Sequence, residues 1–217
     1  MKPSICVWLS LAFVGLFVTQ ARADVTLVSK PITGVVIDAS TGRPIADAVV
    51  TAKWIGGFST VAHGGTRCAK GMATTTDASG HFSFSEWTMT HPNLDNLLVE
   101  VGAYRPGWAD IDRGTAGAHP TKFLGFIPAG RIEIPPSDLR VKMQPFTGTP
   151  QERRAYLLGF MLSTACDDGD VAKMGPLYRA IRDEAAAMPP EVRDFRSMPG
   201  RLTLMEVIDQ GYLRRTR

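Results

Sequence analysis

Four histidines, two runs of aspartates, a cysteine near a histidine and a set of tryptophans are the residues here whose types could do chemistry. Cys68 in "HGGTRCAKG" has His63 five residues upstream, the pairing of a thiol nucleophile with its base. That chemistry needs the base held by a third group. The glycine-rich stretch between the two offers none, so Cys68 is not read as a nucleophile. His63, His81, His91 and His119 match neither the H-x3–5-H nor the C-x2–4-C spacing of a zinc set, so no metal site is predicted. Asp110 and Asp112 in "WADIDRG", and Asp167, Asp168 and Asp170 in "DDGD", could offer oxygens to calcium. The second run lacks the fixed glycine and distal glutamate of an EF-hand loop, and both read as solvated loop acids. Trp87 and Trp108 fall at strand ends beside long loops, where an indole can stack on a sugar or a peptide. With His91 they form the candidate ligand-binding set. Trp54 lies on an apolar strand face and reads as core. No catalytic residue and no cofactor is predicted.

The elements that must position these residues begin after a leader. Residues 1–23 read as a signal peptide: Lys2 is the positive start, 5–18 is the apolar stretch, and Ala21-Arg22-Ala23 is the cleavage site. About 14 apolar residues fall short of the ~20 that span a bilayer, so the mature chain, from Asp24, is expected to be exported to a periplasmic or extracellular location and not to span the membrane. Enough of the 217 residues remain to bury a core. The formal charge of +3 drops toward neutrality with the loss of Lys2 and Arg22, which gives no electrostatic reason to expect nucleic acid. Cys6 leaves with the leader. Cys68 and Cys166 then have one possible pairing in an oxidising compartment, and a disulfide is predicted.

From 24 to 146 the apolar pattern has period two, the mark of strands with one dry face. Val35 and Ile37 share a face, as do Ala48, Val50, Ala52 and Trp54, and then Phe82 and Phe84. Further strands are expected at 25–29, 72–76, 97–103, 131–134 and 139–146. Asp77-Ala78-Ser79-Gly80 fits a tight turn, with Asp77 accepting from backbone amides and Gly80 at positive φ. The stretches 56–71, 86–96 and 109–130 read as long loops. Seven or so short strands imply a mainly β, antiparallel β-sandwich. From 147 to 217 the period changes to that of an α-helical extension. Thr149-Pro150-Gln151-Glu152 is a capping box with proline at the first helical position. A second helix is expected from Pro176, a third from Thr203 to about Gln210, with one more turn between them.

"GVVIDASTGRPIADAVVTA", "TTTDASGHFSF", "LLVEVGAYRPGW" and "DLRVKMQPF" occur in the order of a known family. Residues 31–146 resemble the carboxypeptidase regulatory-like domain, through Gly34, Val36, Asp38, Thr41, Gly42, Pro44, Ala48, Val50, Thr76, Asp77, Gly80, Phe82, Pro106 and Gly107. The resemblance implies a prealbumin-like sandwich and an accessory role in larger systems, with no activity of its own. Asp47 stands where the family usually has Gly or Asn. Two catalytic relatives of that fold are set aside. Intradiol dioxygenases hold iron with two Tyr and two His, whereas Tyr104 is the sandwich's only tyrosine. Hydroxyisourate hydrolases end in Tyr-Arg-Gly-Ser, whereas this chain ends "GYLRRTR". The expected function is an exported, non-catalytic interaction or scaffold module of the cell envelope, docking on an envelope protein. The alternative is a soluble periplasmic binding protein for a glycan, peptide or metal, with a small ligand at the loops around Trp87, His91 and Trp108.

Overall fold

The computed structural model describes residues 24–59, 64–92, 94, 96–112, 114–118, 131–164, 166, 171–195 and 203–213. The expected signal peptide, His63, His119 and the aspartates at 167–170 lie outside them. The strands in chain order are β1 (Asp24–Ser29), β2 (Ile32–Asp38), β3 (Val49–Ser59), β4 (Gly64–Thr75), β5 (His81–Phe84), β6 (Trp87–Pro92), β7 (Asn96–Tyr104), β8 (Trp108–Asp112), β9 (Gly114–Ala118), β10 (Arg131–Ile134) and β11 (Ser137–Pro145). The helices α1 (Pro150–Thr164), α2 (Val171–Ala186), α3 (Pro190–Arg193) and α4 (Leu204–Leu213) follow.

Three sheets result, ordered β10-β1-β6, β5-β2-β11-β8 and β4-β3-β7-β9. The first two are halves of one layer. β1 continues into β2, β5 into β6 and β10 into β11, and all three paths break at one level, at Lys30-Pro31, Ser85-Glu86 and Pro135-Pro136. Proline has no N–H for the ladder, so it cannot run through this crease. The halves stay joined by Lys30 N–H to Ile134 O (3.0 Å) and Ser137 N–H to Pro31 O (3.3 Å). Lys30 Nζ also meets Glu86 at 3.0 Å. Between this creased layer and β4-β3-β7-β9 lies the main core, where Leu27, Ile32, Val36 and Phe84 meet Val50, Trp54, Val99 and Val101.

The mainly β architecture with a helical extension agrees with the sequence, and its details differ in two ways. The sandwich is mixed: β1 pairs β10 and β2 pairs β11 in parallel. It also has more strands than seven, because the stretches read as loops carry the distal halves of β3 and β4, all of β6, and β8 and β9. Glycine and charge in these stretches hide the strand pattern, and β6 and β8 pair with strands far off in sequence, β1 and β11.

Local chemistry explains the turns. Asp77 Oδ1 accepts from Ser79 N–H (2.8 Å) and His81 N–H (2.9 Å), and Gly80 has φ +76°. Asp47 has φ +58°, the left-handed conformation that Gly and Asn favour. At Gly34 a Cβ would lie 2.2 Å from Leu139 O and 2.6 Å from the Phe82 ring. Glycine alone lets β2, β11 and that ring approach so closely. Thr76 Oγ1 donates to Ile45 O (2.8 Å) and accepts from Ala48 N–H (2.9 Å) where no water reaches.

The capping box opens α1 as expected: Thr149 N–H reaches Glu152 Oε2 at 2.7 Å and Glu152 N–H reaches Thr149 Oγ1 at 3.2 Å. Thr203 and Glu206 repeat the arrangement before α4. The second helix starts at Val171, not at Pro176, which sits inside it. Its missing N–H removes one helical bond without ending the helix. The helices pack on the outer face of β4-β3-β7-β9, where Val49 and Tyr104 join Leu157, Phe160, Leu177, Ile181 and Ile208 in a second core.

Candidate functional site

The two tryptophans expected to bind a ligand lie on different sheets. Trp87 opens β6 opposite Ser29 and is 8% exposed. Its ring meets Trp54 edge-on at 5.3 Å, and Lys70 Nζ lies 4.6 Å from the ring centre. The expected exposure is corrected: the strand extends past the crease, and the indole turns into the core. His91 is four residues along the same strand, opposite Val25. Trp108 is on a different sheet, opposite Pro145, and is half-buried beneath the Arg105 guanidinium at 5.4 Å. Among the described residues no group of three or more His, Cys, Asp or Glu could hold a metal ion. Asp110, read from the sequence as a solvated loop acid, is instead half-buried on β8 and accepts from Ala103 N–H at 2.9 Å. Cys68 and Cys166 are bridged, with Cα atoms 5.3 Å apart, tying β4 to the end of α1. A disulfide points to an extracytoplasmic compartment.

The groups with most chemical capacity meet at the seam between sandwich and helices. Arg153 lies on the buried stripe of α1 with Leu157, Phe160, Met161 and Thr164. Glu184 occupies the matching place on α2, one turn past Ile181. Glu184 Oε1 accepts from Arg153 Nε (2.7 Å) and Gly107 N–H (3.2 Å), and Oε2 from Arg153 Nη2 (2.8 Å) and the Tyr104 hydroxyl. Arg153 also donates through Nη1 to Trp108 O (2.5 Å) and lies over the rings of Tyr156 (4.8 Å) and Phe146 (5.0 Å). Two helices and the β7–β8 corner thus close on one ion pair. Next to it, Tyr156 Oη accepts Asp110 N–H at 2.9 Å, so α1 also caps the edge of β8.

The electrostatics follow from this enclosure. Burial pushes the Glu184 carboxyl up, but hydrogen bonds from Arg153 and Tyr104 and the Arg153 charge outweigh it, and the net shift is downward. Burial, the bond to Glu184 and its negative charge all hold the Tyr104 hydroxyl neutral well above its ordinary range. Both oxygens of Glu184 are saturated by donors, so neither it nor Tyr104 is set to exchange a proton with a substrate. The arrangement joins elements.

A shallower feature lies two to three turns further along α1. Thr51, Lys53, Glu100, Gly102, Phe160, Ser163 and Thr164 line a cavity of about 10 Å³, room for about one water. Lys53 Nζ donates there to Ser163 O at 3.2 Å, a cation placed on the carbonyl end of a helix.

No protein-family model matches the sequence, and no curated protein matches it. The sandwich has distant structural similarity to pilin C-terminal domains and to transthyretin-like β-sandwiches. The C-terminal domain of the shaft pilin SpaA from Lactobacillus rhamnosus GG is 14% identical, with 56% of this chain and 98% of that one covered at a TM-score of 0.26. A 5-hydroxyisourate hydrolase from Klebsiella pneumoniae is 13% identical over 55% of this chain and 94% of that one, at 0.23. The dioxygenase domain of a dioxygenase carbohydrate-binding protein fusion from Streptomyces sp. SirexAA-E is 16% identical over 59% and 86%, at 0.26. At such scores no activity, ligand or partner carries over to this chain.

The sequence reading missed Arg153, Glu184 and Tyr104 as a group. A signal was there: Arg153 and Glu184 each interrupt the apolar stripe of an amphipathic helix, where a charge must find a partner. Among the described residues no helix is long and apolar enough to cross a membrane.

Proposed function

We propose that this chain is an extracytoplasmic, non-catalytic interaction module of the cell envelope, in which sandwich and helices present a composite surface to a protein partner. One observation carries the reading: the titratable groups of the seam, Arg153, Glu184 and Tyr104, are spent on fixing α1 and α2 to the β7–β8 corner. A helical extension anchored by a buried ion pair and a disulfide is built to hold a shape. The resemblance of residues 31–146 to the carboxypeptidase regulatory-like domain supports an accessory role, and the apolar leader supports a periplasmic or outer-surface address. The second reading, a binding protein for a glycan, peptide or metal, draws on Trp108 and the Arg105 stacked on it at the β7–β8 corner. The buried Trp87 counts against it.

The test is in-cell crosslinking of tagged full-length protein, with mass spectrometry of the products. One dominant protein partner, lost when Arg153→Met loosens the seam, supports the composite surface. No partner at good crosslinking efficiency, together with a saturable rise in melting temperature from a small ligand, overturns it in favour of the second reading.

A further inference from the structure

The two ends of α1 are held by different means. At its start, Arg153 is clamped by Glu184, Trp108 O and three rings. At its end, the last turn rests over the small cavity and is held by the Lys53–Ser163 hydrogen bond and, just beyond, by the disulfide from Cys166 to β4. Cys166 is 1% exposed, whereas Cys68 is partly open to solvent. Gly71 leaves room beside the bridge, since a Cβ there would stand 3.4 Å from Cys166 Cβ.

Lys53 has a second acceptor within reach. It sits directly opposite Glu100 in the β3–β7 ladder, and both side chains line the same cavity. Opposite charges at such positions pair readily. In this structure the ammonium bonds to Ser163 O instead. If the last turn of α1 lifts, Lys53 loses one acceptor and has another at hand, so its charge is never left unpaired. That lowers the electrostatic cost of opening at this end, and leaves the burial of Phe160 and Met161 in the second core as the main contact to be released with the bridge.

We propose that the Cys68–Cys166 disulfide is a redox-gated lock on the C-terminal turn of α1, with Lys53 moving from Ser163 O to Glu100 when the lock opens. A dithiol reductant supplies the electrons. Its thiolate attacks the accessible Cys68 sulfur and expels Cys166 as a thiolate. The second thiol of the reductant then displaces Cys68, leaving two protein cysteines, both protonated from solvent or the reductant, and an oxidised reductant. Opening uncovers the polar patch of Thr51, Lys53, Glu100 and Gly102 on β3 and β7, while Arg153 keeps α1 on the sandwich.

The test is hydrogen–deuterium exchange on the full chain, oxidised and then reduced with dithiothreitol. Reduction is expected to speed exchange of the Phe160–Thr164 amides at least tenfold and to leave Arg153–Leu157 within about twofold. Cys166→Ser is expected to reproduce the reduced pattern without reductant. Glu100→Gln, which weakens the second acceptor, is expected to cut the acceleration on reduction severalfold. An unchanged exchange pattern on reduction, or one that rises equally along α1 and α2, overturns the lock. A Glu100→Gln chain that loosens as much as the parent overturns the exchange of Lys53 partners.

Discussion

Replacing Glu184 with glutamine tests the seam most directly. Each carboxylate oxygen accepts two donors: Arg153 Nε and Gly107 N–H on one, Arg153 Nη2 and the Tyr104 hydroxyl on the other. Glutamine must present an NH2 to one of these donor pairs and removes the charge opposite Arg153, whose side chain is 7% exposed. Breaking a buried pair by removing one partner costs ~3–5 kcal/mol. Arg153 keeps Trp108 O and its ring contacts, so the lower end applies, about 3 kcal/mol. For a chain of this size that lowers the melting temperature by roughly 6–12 °C. The assay is thermal and urea unfolding of the oxidised protein across pH. Glu184 is held below its ordinary range in the folded state, so its contribution is fully present above its unfolded value near 4.5 and is lost as pH falls through the folded value. The gap between parent and Glu184→Gln should therefore be constant at neutral pH and close on acidification below that value. Removing both charges in Arg153→Met/Glu184→Met should restore part of the loss, since an apolar pair substitutes well for a buried ion pair, and Tyr104 Oη has Ala180 O at 3.3 Å to turn to. A Glu184→Gln protein within ~1 kcal/mol of the parent, the range of exposed pairs, or a gap that widens in acid, would refute the reasoning.

Gly34→Ala should cost ~2–3 kcal/mol or more in urea unfolding, because its Cβ meets Leu139 O and the Phe82 ring inside contact distance. Thr76→Val should cost ~2 kcal/mol, since it strands the buried Ile45 carbonyl and Ala48 amide that Oγ1 serves. Asp47→Gly should be neutral or stabilising by up to ~1 kcal/mol, because relief of the left-handed backbone at φ +58° offsets the greater freedom of the unfolded chain. In alkali, stability should fall above pH ~10: the unfolded tyrosine ionises there, whereas Tyr104 is held neutral in the fold and its raised value is reached only later.

What the sequence made legible was local. The capping boxes, the Asp77 turn and the alternating strands follow from chemistry within a few residues, and the structure carries all of them. The cysteine pairing was legible because, with Cys6 assigned to the expected leader, Cys68 and Cys166 have only each other. The parallel β2–β11 pair was not, since nothing in either strand encodes a neighbour about a hundred residues away. Trp87 was misread for the same reason: its burial depends on the β1 and β6 paths continuing past a proline crease. Arg153 and Glu184 are 31 residues apart on separate helices, and only the packing of both helices on the sandwich brings them together.

The parallel pairing has a mechanical consequence. β1 enters the creased layer at Asp24, and β11 leaves it toward α1, with β2 and β11 paired side by side from Ile32↔Ser137 to Asp38↔Met143. A pull between the chain's start and its helices therefore slides these two strands past each other along their length. Their hydrogen bonds share the load at once instead of opening one after another like a zipper. The disulfide then joins the end of α1 to β4, so part of the force bypasses the ladder and passes to the opposite layer. Stretched from its ends, this fold should resist strongly and yield late, and reducing the bridge should lower that resistance without breaking a single ladder hydrogen bond.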